Sequence, residues 1–131
     1  MTGVKKLTDE RNFYLERFTR FEYAAAFEKL KNELALLLDN AGEEGTDETV
    51  SEFMECASQQ SKGLFRKNIE IDRFCRFYAL YVVPAAMESG FEKFGSALRE
   101  EWNRTYPKNT FAVGNYQEIV SGFRTKPFGM G

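Results

Sequence analysis

Between Leu7 and Leu38, apolar residues recur at helical spacing, but the apolar stripe changes side. Leu7, Tyr14, Phe18, Phe21 and Ala25 share one face at 100° per residue, while Phe27, Leu30, Leu34 and Leu37 lie roughly opposite. No Gly or Pro interrupts this stretch, so the spacing predicts one long helix over 8–40. Thr8 or Asp9 would cap its start, and Ala41-Gly42 would stop it. A helix with two apolar faces buries its halves against different neighbours. Phe27 and Leu34 are therefore expected to face a partner.

After the Gly42–Thr46 loop, Val50, Phe53, Met54, Ala57, Ser61, Leu64 and Phe65 fall on one face and predict a helix over 47–66. A third stretch, 69–104, reads as a helix or a helix pair kinked at Pro84, because proline cannot donate the backbone bond a helix interior needs. Gly90 offers a further break, and Phe91, Phe94, Leu98 and Trp102 continue the amphipathic pattern. Over 108–131 the pattern predicts a short helix, capped by Asn115 and carrying Ile119, Val120 and Phe123. Glu118 stands at the capping-box position, and an irregular end holds Gly122, Pro127 and Gly129. Together these elements predict one all-α domain over 1–131: an antiparallel bundle of four to five helices with a C-terminal extension.

One phrase occurs twice. Arg11-Asn12-Phe13-Tyr14-Leu15-Glu16-Arg17-Phe18-Thr19-Arg20-Phe21 is echoed 56 positions later by Lys67-Asn68-Ile69-Glu70-Ile71-Asp72-Arg73-Phe74-Cys75-Arg76-Phe77. On helices, Glu16–Arg20 and Asp72–Arg76 would each be an acid one turn before a base, stabilising by about 0.2–0.5 kcal/mol. Arg17 and Arg73 would each cover the Phe four residues on. Phe18, Phe21, Phe74 and Phe77 are expected in the core. Duplication of a helical hairpin and independent reuse of a stable helix phrase both account for the echo.

Composition narrows the chemistry. With 43% hydrophobic and 29% charged residues, the chain has a globular and not a disordered balance. Thirteen Phe, six Tyr and one Trp predict an aromatic core. There is no histidine, which removes Ser-His and Cys-His catalytic pairs and His-ligated metal sites from this chain's repertoire. Cys56 and Cys75 sit in apolar helical patterns and are expected as small buried hydrophobes. No catalytic, cofactor-binding or metal-ligating residue is assigned, and no cofactor is expected. Met1–Lys6 leads into charged residues and the apolar run Ala79–Met87 is too short to span a bilayer. A cytoplasmic protein without membrane contact is expected.

The net charge of −2 is unevenly placed: residues 1–60 hold 7 Lys/Arg against 13 Asp/Glu, and residues 61–131 hold 11 against 7. The aromatic excess and the two-faced first helix point to a non-enzymatic module that binds another protein or itself. Phe27, Leu34, Phe123 and Phe128 are the interface candidates. A second class is a nucleic-acid-associated subunit contacting phosphates through Arg66, Lys67, Arg73 and Arg76. A third is a Mg²⁺-dependent nucleotide hydrolase using the acids from Glu43 to Glu55. Those acids only partly resemble the carboxylate motifs of helical nucleotide pyrophosphohydrolases, because no second Glu-x-x-Asp follows on the next helix.

Overall fold

A computed structural model describes residues 3–63 and 67–110, and the regular elements within them are all helical. They are α1 (Gly3–Asp9), α2 (Arg11–Glu16), α3 (Tyr23–Ala41), α4 (Thr46–Gln60), α5 (Lys67–Phe77), α6 (Val83–Glu88) and α7 (Glu92–Thr105). A π-helical turn, Tyr78–Val82, joins α5 to α6, and 3₁₀ turns occupy Glu43–Gly45 and Pro107–Asn109. The helices pack as a bundle around one aromatic core.

The long helix expected over 8–40 is three helices. The decisive break is at 17–22, where the Thr19 hydroxyl accepts the Glu22 N–H at 3.1 Å and the Thr19 carbonyl accepts the Tyr23 N–H at 3.0 Å. Thr19 thus closes the turn that leads into α3, whose N-cap, Glu22, makes no side-chain cap bond. This break removes the side change in the apolar stripe. Val4 and Leu7 of α1, Tyr14 of α2, and Tyr23, Phe27, Leu30, Leu34 and Leu38 of α3 all enter the same core. Phe27 is 0% and Leu34 1% exposed, so neither is an interface residue. The two halves find one core by bending instead of finding two partners. Phe21, expected in the core, is 79% exposed, because it rides the turn itself.

Further along, Gly42 ends α3 with φ 75°, a backbone conformation that L side chains rarely adopt, and its N–H bonds to the Leu38 carbonyl at 3.1 Å. α4 stops at Gln60, short of the expected 66, and residues 64–66 lie outside the described set. The expected kink at Pro84 takes a specific form. Pro84 has no N–H to offer the Leu80 carbonyl four residues back, and the Tyr23 hydroxyl donates to that carbonyl instead. The chain widens into the π turn just upstream, where the Val83 N–H reaches the Tyr78 carbonyl.

Tyr78, Tyr81 and Trp102 are fully buried, and each finds a backbone acceptor. Tyr78 donates to Phe53 O at 2.7 Å, Tyr81 to Tyr14 O at 2.7 Å and Trp102 Nε1 to Asn109 O at 2.9 Å. The rings touch in a chain: Tyr23 to Tyr81 at 4.9 Å, Tyr14 to Phe77 at 5.7 Å, and Tyr78 to Phe53 and to Trp102 at 5.5 Å. Each pair adds about 0.5–1.5 kcal/mol beyond the burial of its area. Among the described residues, most of the aromatic side chains are spent inside.

Candidate interaction surface

α1 and α4 lie alongside the second half of α3, and the three leave an open groove of about 460 Å³. Its floor is Val4 and Leu7, one turn apart on α1, with Leu37 of α3 beside them. At its edge stands Leu36, 68% exposed, the large aliphatic that α3 turns outward. Geometry forces this: once Leu34 and Leu38 face the core, Leu36 lies about 200° round the helix from each. α1 sits close against this wall, since a Cβ on Gly3 would stand 3.0 Å from Leu37 Cδ1.

The opposite wall is acidic. Glu48 and Glu52 are one turn apart on α4, and like charges at that spacing destabilise a helix unless a cation joins them. Among the described residues no cation contacts either of them. Glu33, across the groove, is held by Lys29 at 2.8 Å, and Lys6 is the one cation among the described lining residues. The acidity of the first half persists on this face because its cations are used elsewhere. Arg11 pairs with Glu70 at 3.1 Å and Lys31 with Glu88 at 3.4 Å, each drawing a cation of the acidic half to an acid of the other.

The other sequence candidates fall elsewhere. Arg73 donates to Asn12 Oδ1 at 3.3 Å and Arg76 lies 3.8 Å from Asp72, so both are engaged with this chain. Arg66 and the side chain of Lys67 lie outside the described residues, as do Phe123 and Phe128. Among the described residues, no three Cys, Asp or Glu side chains are grouped to hold a metal ion, so the Glu43–Glu55 acids do not converge. Asp39, Glu43 and Glu92 line a second, smaller hollow of about 330 Å³ beside Gly42 and Gly90, with Lys93 among them. No described helix is long and apolar enough to cross a membrane.

Cys75 is buried and its Sγ lies 2.9 Å from Asn109 O; burial, and then the charge of Asp72, push its pKa up to about 12. Burial likewise raises the hydroxyl pKa values of Tyr14, Tyr78 and Tyr81 above the usual phenol range. The Tyr78 and Tyr81 hydroxyls are structural donors, and the Tyr14 hydroxyl accepts from Lys29 Nζ at 3.4 Å.

Leu36 was not singled out by periodicity, which places Leu37 with Phe27, Leu30 and Leu34 on the second apolar face. The run Leu36-Leu37-Leu38 held the missing signal, since three successive leucines cannot share one helix face. Glu48 and Glu52 had been noticed, but as candidate metal ligands. Comparison adds no relative: no protein-family model, no curated protein and no solved structure matches this chain.

Proposed function

We propose that this protein is a helical binding module whose groove between α1, α3 and α4 takes a basic amphipathic helix. The observation that carries this reading is Leu36, exposed over an apolar floor and facing two unneutralised carboxylates, Glu48 and Glu52. Helix-in-groove recognition uses apolar anchors at i, i+3, i+4 and i+7 laid on such a floor, with flanking charges setting orientation. A Lys or Arg on the incoming helix would relieve the repulsion between Glu48 and Glu52, which favours basic segments over acidic ones. Phosphate-rich ligands fit this face poorly, because its acids repel them.

A random peptide library displayed on phage and selected against the immobilised protein provides the test. Enriched peptides should combine helically spaced apolar residues with Lys or Arg, and their binding should be lost in Leu36→Asp and in the double variant Glu48→Lys/Glu52→Lys. Peptides without that chemistry, or binding indifferent to all three substitutions, would sink the proposal.

A further inference from the structure

We infer that the outward face of α3 is a self-association surface, on which a second copy of this chain packs its own α3 antiparallel to the first. Of the large apolar side chains exposed among the described residues, the two most exposed are Phe21 at 79% and Leu36 at 68%. Both lie on this face. At 100° per residue, Phe21, Ala25, Asn32 and Leu36 fall within about 60° of one another, opposite Tyr23, Phe27, Leu30 and Leu34 in the core. Phe21 precedes α3 but keeps its register, because Glu22 is in the αR region and the Tyr23 N–H reaches back to the Thr19 carbonyl at 3.0 Å. About 22 Å of helix axis separates the two apolar ends. Between them Ala24, Ala25, Glu28 and Asn32 are all exposed.

The order of residues along the strip selects the partner. Two antiparallel helices related by a two-fold axis meet through one self-complementary patch, each contact being made twice. With the axis midway between Glu28 and Lys29, Phe21 meets Leu36 of the second copy, Ala25 meets Asn32, and Glu28 meets Lys29. Parallel packing would instead set Glu28 on Glu28 and Lys29 on Lys29. Moving the antiparallel axis two residues along brings Glu28 onto Glu33 and leaves Phe21 against Asn40. One register therefore joins both apolar ends and opposes both central charges, with Ala25 small enough to let the backbones approach. Within its own chain Glu28 lies 3.2 Å from Lys31, and Lys29 lies 2.8 Å from Glu33. The crossed pairs thus fix direction and register more than they add affinity. A single pair of helices is a contact at the low end of specific interfaces, so the dimer forms reversibly at about tens of micromolar. Of the residues on this face, only Leu36 also lines the groove.

Sedimentation equilibrium of the full chain, from about 1 µM to about 500 µM, should show monomer giving way to dimer. Phe21→Asp should weaken association by about tenfold or more, because it sets an unpaired charge against Leu36. Glu48→Lys/Glu52→Lys should leave association unchanged. Cross-linking reads the register, in a Cys56→Ser background that removes the partly exposed native thiol. Ala25→Cys protein mixed with Asn32→Cys protein should give a disulfide-linked dimer on oxidation. Neither should do so alone, since each new thiol would stand more than about 10 Å from its counterpart. A strict monomer over the whole range would overturn the inference and leave the helix-binding groove standing. Ala25→Cys protein cross-linking to itself, and not to Asn32→Cys protein, would overturn it in favour of parallel packing. Association kept in Phe21→Asp but lost in Glu48→Lys/Glu52→Lys would overturn it as well, by putting the second copy in the groove.

Discussion

The two copies of the repeated phrase meet in the folded protein and behave differently. The first forms α2, then breaks; the second is α5, unbroken through Phe77 and into the π turn. They differ in kind at Tyr14/Glu70 and Thr19/Cys75, and both differences have structural consequences. Thr19 has an oxygen that captures the Glu22 N–H and turns the chain; Cys75, at the matching place, has none, and the helix runs on. Tyr14 stacks on Phe77, while Glu70 pairs with Arg11, whose guanidinium also lies 4.3 Å above the Phe74 ring. The copies are thus joined across one interface by the residues at which they diverge. Phrases that share five of eleven residues reach opposite local outcomes here, and a single hydroxyl stands at the point where they part.

The matching phenylalanines should give the widest split. Phe77→Ala removes a fully buried ring from the centre of the aromatic chain and should cost about 3–5 kcal/mol in urea denaturation. Phe21→Ala, at the same place in the other copy, should stay within about 0.5 kcal/mol. Similar losses for both would mean that the first copy's turn packs as core.

Next come the acids. Glu70 and Arg11 are each 8% exposed, so Glu70→Ala strands a buried guanidinium and should cost about 3 kcal/mol. Replacing both partners, Arg11→Met with Glu70→Leu, should recover much of that loss, as shape is kept without the desolvated charge. Asp72→Ala, which breaks only an exposed one-turn pair with Arg76, should change stability by less than about 0.5 kcal/mol.

The Thr19/Cys75 difference also has a pH signature. An unfolded thiol titrates near 9, whereas folded Cys75 holds its proton up to about 12. In that window the folded state binds more protons than the unfolded one, so Cys75's contribution is complete below pH 9 and fades as pH rises to 12. Urea midpoints measured between pH 8 and 11 should therefore fall with pH, and fall less steeply in Cys75→Ala. The buried tyrosines, also raised, add to the same alkaline decline in both forms.

Much of this architecture was legible in the chain, and the failures share a cause. Helical periodicity located α3, α4, α5 and α7, and Gly42 marked its boundary because only a positive φ ends the helix there. The break at 17–22 was hidden because no Gly or Pro announces it; its signal was Thr19-x-x-Glu22, a hydroxyl-closed turn lying inside an apolar phrase. Missing that turn made a change of stripe side into a second interface, and so sent Phe27 and Leu34 to the surface. The groove was less legible still. It depends on three helices separated in sequence, and on cations such as Arg11 and Lys31 being drawn to Glu70 and Glu88, which no local pattern reveals.

The smallest effect tests the cause of the break most directly. If the Thr19 hydroxyl fixes the turn before α3, Thr19→Ala should cost about 1 kcal/mol, the ordinary net value of one hydrogen bond. The Glu22 amide, robbed of its acceptor, should also exchange its hydrogen faster than its neighbours in α3. Thr19→Asp should hold both properties, since a carboxylate accepts the same N–H and suits the positive end of α3. If instead core packing alone bends the chain, with Tyr23 pinned to Leu80 and Phe27 drawn inward, Thr19→Ala should leave stability and Glu22 exchange unchanged. The break would then follow from the side change in the apolar stripe, and the Thr19 hydroxyl would only mark where it falls.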